Sequence, residues 1–209
     1  MIVRDDWNHY TYVYGDDRTA TIAFDVAAAV FSEDHFAHGV RVVTEGDLAS
    51  IEAALDGADA LLVGRLTYGD RRELVLQVAD LASFAEARSR VEALGATVHD
   101  TPGWGYFDER VCPTPADWRR IQDRETLERL DLDGNGALRV LHRFFGDDAA
   151  LDAIGSRLEA EGFAPVERSE RRMALAHEHP LDDVSRITIG LMRLSEHHGA
   201  VYDGWVLPG

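Results

Sequence analysis

A chain of 209 residues can form one large domain or two small ones, and 45% apolar with 28% charged residues is an ordinary globular composition. Its 38 acidic residues outweigh 21 basic ones, for a formal charge of −17, and every basic residue is arginine. With no lysine, Schiff-base chemistry and a phosphate-loop lysine are excluded, and the negative balance argues against direct nucleic-acid or polyphosphate binding.

The opening MIVRDDWNHY lacks the apolar core of a signal peptide. The longest apolar stretch, around IAFDVAAAVF, is broken by Asp25 and is too short to cross a bilayer, so no membrane partner is expected. One cysteine, Cys112, cannot form an internal disulfide, which makes the cytoplasm the expected location. Within RVCPTP it has no basic or histidine neighbour to activate it and reads as a packing residue.

In chain order, WNHYTYVYG and TATIAFDVAA predict a hairpin turning at Gly15-Asp16-Asp17. VRVVT predicts a strand, and EGDLASIEAALDG a helix with Asp47 near its start. ADALLVGRLTYGDRRELVLQV predicts a second hairpin, turning at Gly69-Asp70. SRVEALG (Ser89–Gly95) then returns as SRLEAEG (Ser156–Gly162), 67 residues later. Phe84, Ala87 and Val91 form an apolar helical stripe that Leu151, Ile154 and Leu158 repeat, and Gly95 and Gly162 stand where a helix C-cap needs positive φ. Two related strand–helix–strand units are therefore expected, sharing packing and not chemistry. PADWRRIQDRETLERL reads as a mixed-charge helix that spaces two domains.

Beyond it, ALRVLHRFF, the SRLEAEG helix, FAPVE and RRMALAHE give a strand, a helix and two strands. LDDVSRITIGLMRLSEHHG is a helix with Asp182 and Asp183 in its first turn, and AVYDGWVL is a closing strand. The order β-α-β-β-α-β predicts a ferredoxin-like C-terminal domain. The expected organisation is α+β in two domains. Residues 1–130 form an antiparallel sheet with helices, 131–136 a linker, and 137–209 the ferredoxin-like domain.

The hexapeptide DLDGNG (131–136) has the first half of a calcium loop: Asp131, Asp133, Asn135 and Gly136. The second half fails, because Arg139 and His142 stand where an oxygen donor and a bidentate glutamate are needed, so a turn is predicted. His177 and His179 share a strand face with Glu178 between them pointing away, and neither they nor the pairs His35/His38 and His197/His198 have a third ligand at a recognisable spacing. No metal, cofactor or catalytic residue is expected: the chain has no Gly-x-Ser-x-Gly elbow and no dinucleotide-binding glycine motif. A small-ligand or catalytic site in the N-terminal part is the alternative, at Trp104, Tyr106, Asp108 and Glu109 of the Gly-rich aromatic segment TPGWGYFDE. A third reading is an immunity-like or structural module.

RVLHRFF, LEAEGF, the long last helix and Tyr202-Asp203-Gly204-Trp205 carry a family likeness. Residues 137–209 resemble the regulator of ribonuclease E activity B (RraB) family. Residues 1–130 are similar to a bacterial domain of unknown function found fused to such domains, on the segments WNHYTYVY, ALLVGRLTYGDRRELVL and WGYFDERVCPT. The resemblance implies an acidic, non-enzymatic cytoplasmic protein that binds ribonuclease E, or another basic RNA-processing protein, by contact. Tyr202, Asp203, Gly204 and Trp205 are then the interaction or fold-defining residues, with packing around a bend as the plainer role.

Overall fold

The computed structural model describes residues 1–3, 7–13, 19–30, 36–132 and 136–208. The chain is mixed α+β with two antiparallel sheets, and it divides into compact units at Met1–Thr114 and Pro115–Gly209.

The first unit carries β1 (Trp7–Val13), β2 (Thr19–Asp25), α1 (Val26–Val30), β3 (His38–Thr44), α2 (Leu48–Ala54), β4 (Ala60–Tyr68), β5 (Arg71–Val78), α3 (Ala85–Ala93), β6 (Thr97–Thr101) and α4 (Gly105–Arg110). Its sheet runs β1-β2-β4-β5-β3-β6. β1 and β2 pair antiparallel, from Trp7↔Asp25 to Val13↔Thr19, whereas the turn expected at Gly15-Asp16-Asp17 lies outside the described residues. TATIAFDVAA does not stay extended to its end: Asp25 accepts from the amides of Ala27 and Ala28 and opens α1. Tyr68↔Arg71 pairing closes the β4–β5 hairpin on Gly69-Asp70, where Gly69 has φ 60°.

Six residues of β5 in a row are buried, so both faces of this strand are covered. One face packs Val40, Val42, Leu62, Leu74 and Leu76 under Ile51 and Leu55 near α2 and Phe84 and Val91 near α3. On β4, a Cβ at Gly64 would come within 2.6 Å of Val111, which follows α4, so glycine permits this close approach.

The second unit carries α5 (Pro115–Arg129), β7 (Ala137–Phe145), α6 (Asp148–Ala160), β8 (Ala164–Arg168), β9 (Arg172–Pro180), a 3-10 turn at Leu181–Asp183, α7 (Val184–His197) and β10 (Val201–Val206). Its four strands run β10-β7-β9-β8, all antiparallel. Phe144, Leu151, Ile154, Leu158, Leu175 and Leu191 make the main core, and Val140, Val184 and Trp205 a smaller one. Asp147 caps α6 by accepting from the Ala150 amide. Gly95 and Gly162 take φ of 85° and 94° after α3 and α6, the left-handed geometry that ends both helices.

The repeated heptapeptide falls on α3 and α6, each joining two strands as expected, yet the two helices hold different places. In the first unit, β3-α2-β4-β5-α3-β6 is itself a β-α-β-β-α-β run whose strands lie in the order β4-β5-β3-β6. There α3 is the second helix of the run, whereas α6 is the first of its own. Similar local packing demands account for the likeness better than equivalence of position.

The sequence-drawn boundary at 130 and the compact division at 114/115 place α5 differently. Ile121, Asp117 and Asp123 of α5 are buried, and it contacts α7 and β10. DLDGNG therefore lies inside the second unit. Asp133, Gly134 and Asn135 are outside the described residues, while Asp131, at φ 53°, follows the end of α5 and Gly136 leads into β7.

Candidate functional site

Tyr202-Asp203-Gly204-Trp205 lies in β10, where the pairing with β7 slips by one residue between Tyr202 and Gly204. The bulge needs the positive φ of Gly204, 97°, and lets Tyr202 and Trp205 both turn inward while Asp203 stays outside. Asp203 meets Arg143 of β7 at 3.1 Å. Both are substantially exposed, so this ion pair adds little stability.

Tyr202 begins a buried line of polar rings. Its hydroxyl lies 2.8 Å from His142 Nδ1 on β7; His142 Nε2 lies 2.7 Å from His179 Nε2 on β9; and His179 Nδ1 lies 2.9 Å from His177 Nδ1. His142 and His179 are almost fully buried, and His177 is half-buried. Phe163 stacks on His177 at 4.2 Å, and His177 on His179 at 4.4 Å. Burial, reinforced by the neighbouring imidazoles, holds His142 down at about 3 and His179 at about 4. Burial likewise pushes the Tyr202 hydroxyl up, so it keeps its proton.

The donors can be assigned by counting, since each neutral imidazole has one N–H. Tyr202 donates to His142 Nδ1, His142 Nε2–H donates to His179 Nε2, and His179 Nδ1–H donates to His177 Nδ1. The reverse direction would leave the Tyr202 hydrogen without an acceptor, because Oη has no second hydrogen-bond partner among the described residues. One N–H then remains at the end of the line, on His177 Nε2.

A second polar group lies beside the first. Asp123 of α5, 1% exposed, accepts from Trp205 Nε1 at 2.8 Å and from Thr188 Oγ1 of α7, and Arg119 Nε stands 3.7 Å away. Arg119 also faces the Tyr202 ring at 5.8 Å. These contacts hold α5, α7 and β10 together and give the buried carboxylate its partners.

In the first unit the four aromatic and acidic candidates go to different tasks. Trp104, half-buried, packs edge-on against buried Phe107 at 5.6 Å. Tyr106 donates to Glu73 at 2.6 Å and accepts from Arg41 at 3.3 Å, while Asp108 and Glu109 are exposed. No hydrogen bond, ion pair or ring contact among the described residues joins these four side chains to one another. The segment is also the short helix α4 where the sequence reads as a loop: Gly103 at φ 45° makes the turn and Phe107 anchors the helix. The group that does converge there is around Glu73, 1% exposed, which accepts from Tyr68, from Arg71 at 2.9 Å and from Tyr106. Burial, followed by the Glu73 bond, raises the Tyr106 hydroxyl.

Of the other predicted features, His177 and His179 do share a face with Glu178 exposed between them. His35 lies outside the described residues, and His197 meets His198 edge-on at the end of α7. Among the described residues no group of three or more His, Cys, Asp or Glu side chains is arranged to hold a metal ion, the histidine line included. Burial and the Asp108 charge raise the Cys112 thiol, which fits an unreactive side chain. No helix of the described residues is long and apolar enough to cross a membrane.

Sequence reasoning missed His142 and Asp123. In the sequence His142 stands out only as an unsuitable calcium ligand, and Asp123 only as one charge in a mixed-charge helix. Their partners lie far away along the chain: 37 and 60 residues for His142, 65 and 82 for Asp123.

The fold and site define a mixed α+β protein with two antiparallel sheets and a buried histidine line in the second unit. No protein family matches the chain, and no curated protein matches it. Among solved structures, an unknown protein from Galdieria sulphuraria is similar over 82% of this chain and 98% of that chain, at 12% identity and a TM-score of 0.26. Likeness of that size carries no argument about function.

Proposed function

We propose that the protein is a non-enzymatic, cytoplasmic regulator that acts by protein–protein contact, with ribonuclease E or another basic RNA-processing protein as its partner. The observation that carries this reading is the charge. Met1–Thr114 holds 20 acidic residues and 9 arginines, and Pro115–Gly209 holds 18 and 12, so both compact units are acidic. Such surfaces repel nucleic acid and steer basic proteins towards them.

The β-α-β-β-α-β order of the second unit, with strands β10-β7-β9-β8, supports a ferredoxin-like domain of the RraB type. Residues that carry the resemblance have structural tasks within it: RVLHRFF is β7, LEAEGF ends α6, and Tyr202 to Trp205 build the bulge. Contact with a partner then falls to exposed surface around this framework.

The test is to immobilise the full chain and pass purified ribonuclease E, and separately a bacterial lysate, over it at low and high salt. Retention of ribonuclease E, or of another basic RNA-processing protein, at low salt and its loss at high salt is the expected result. Absence of any salt-sensitive protein partner overturns the proposal.

A further inference from the structure

We infer that the cleft between α6 and α7 is a binding site for a small carboxylate with an apolar body. The inference does not depend on the protein partner. The cleft has a volume of about 400 Å³, within the usual range of small-molecule sites. His177 and His179 of β9 line it together with Phe163, and Arg157 and Arg186 stand on its two helices.

Apart from Glu161, its polar side chains offer donors. The hydrogen-bond line from Tyr202 ends with an N–H on His177 Nε2, at the ring that faces the cleft. Arg186 uses Nε and one terminal nitrogen on Asp183, at 3.0 and 2.9 Å, which leaves its other terminal nitrogen for a ligand. Arg157 uses only Nε on Glu161, at 3.3 Å. The Glu161 carboxylate in the lining is thus engaged by Arg157. A ligand completing this set must bring acceptor oxygens, and a carboxylate suits the remaining terminal nitrogens of Arg157 and Arg186.

The remaining wall is apolar, with Ile187, Leu191 and Leu194 along α7. Gly190 interrupts that wall, and a Cβ built on it would meet nothing within 4 Å. The absent side chain keeps the cleft open beside the aromatic stack of Phe163 and His177. The apolar body of the ligand occupies that space.

The test is a titration of the full chain with 2-naphthoate, followed by calorimetry and by the imidazole NMR signals of His177, with 2-naphthylmethanol as the uncharged arm. The expected result is saturable binding of 2-naphthoate that shifts His177, with the alcohol at least about tenfold weaker. Gly190→Phe fills the gap, and Arg186→Glu reverses the charge at an exposed position; each should weaken 2-naphthoate by at least about tenfold without lowering the melting temperature. Arg186→Glu keeps the test decisive should Gly190→Phe fail to fold. Equal binding of acid and alcohol, wild-type affinity in Arg186→Glu, or no saturable binding in the millimolar range overturns the inference.

Discussion

The indole N–H of Trp205 donates to the carboxylate of Asp123 across 82 residues of sequence, at 2.8 Å, in a site closed to water. This bond ties the last strand to α5. It explains why α5 belongs to the second unit although its composition is that of a spacer. The same carboxylate receives Thr188, so one acidic side chain positions two other elements.

Asp123→Ala would leave the buried Trp205 N–H without an acceptor and Arg119 without its opposing charge, while Thr188 Oγ1 would keep only the Ser185 carbonyl, at 3.2 Å. A loss of about 2–4 kcal/mol of unfolding free energy is expected by urea denaturation. A change below about 0.5 kcal/mol, the range of an ordinary surface substitution, would mean that the site is not buried as described.

Gly204→Ala tests the bulge. The φ of 97° disfavours any side chain, and the new Cβ would lie 2.9 Å from Arg119 Nη1. The guanidinium can move aside, so backbone strain dominates, at about 1–3 kcal/mol. The corresponding change at Gly190, in the middle of α7 with open space around it, should be neutral or stabilising by up to about 1 kcal/mol. Comparison of the two melting temperatures checks both expectations.

Acid should destabilise the fold through the histidine line. His142 and His179 titrate at about 3 and 4 in the folded chain, against 6.5 for a free imidazole. Below 6.5 the unfolded chain therefore binds more protons than the folded one, and stability falls as pH falls from 6.5 towards 4. Around His179, Asp183 opposes this shift while His177 and Arg186 reinforce it. The urea midpoint should drop between about pH 7 and pH 5, above the range of most carboxylates. His142→Phe should lower stability at neutral pH and flatten that dependence; an equally steep dependence in the variant would place its origin elsewhere.

Calcium should not bind. Leu138 to His142, the second half of the apparent calcium loop, are paired with β9, and His142 is committed to Tyr202 and His179. Calorimetry with calcium should give no isotherm in the micromolar range, where EF-hand sensors bind. A saturable micromolar isotherm would contradict the strand assignment.

What the sequence made legible was local. Alternation along RRMALAHEH places His177 and His179 on one face, and the β4–β5 hairpin turn and the two C-capping glycines can be read from residue type alone. Segments whose structure depends on distant partners were not legible. TPGWGYFDE reads as a loop because glycine dominates it, yet burial of Phe107 and the Tyr106–Glu73 bond make it helical. Asp123 and His142 look like solvated charge and failed ligand until the sheet brings β7, β9 and β10 side by side. Order along the chain predicted β-α-β-β-α-β but could not show that the first unit contains the same run with two strands added.

Tyr202, His142, His179 and His177 form one directed hydrogen-bond line, and nitrogen NMR of the imidazoles tests this most directly. His142 should carry its proton on Nε2 and His179 on Nδ1, and both should stay neutral well below the 6.5 of a free imidazole. Titration of either ring near 6.5, or the opposite tautomers, would contradict it.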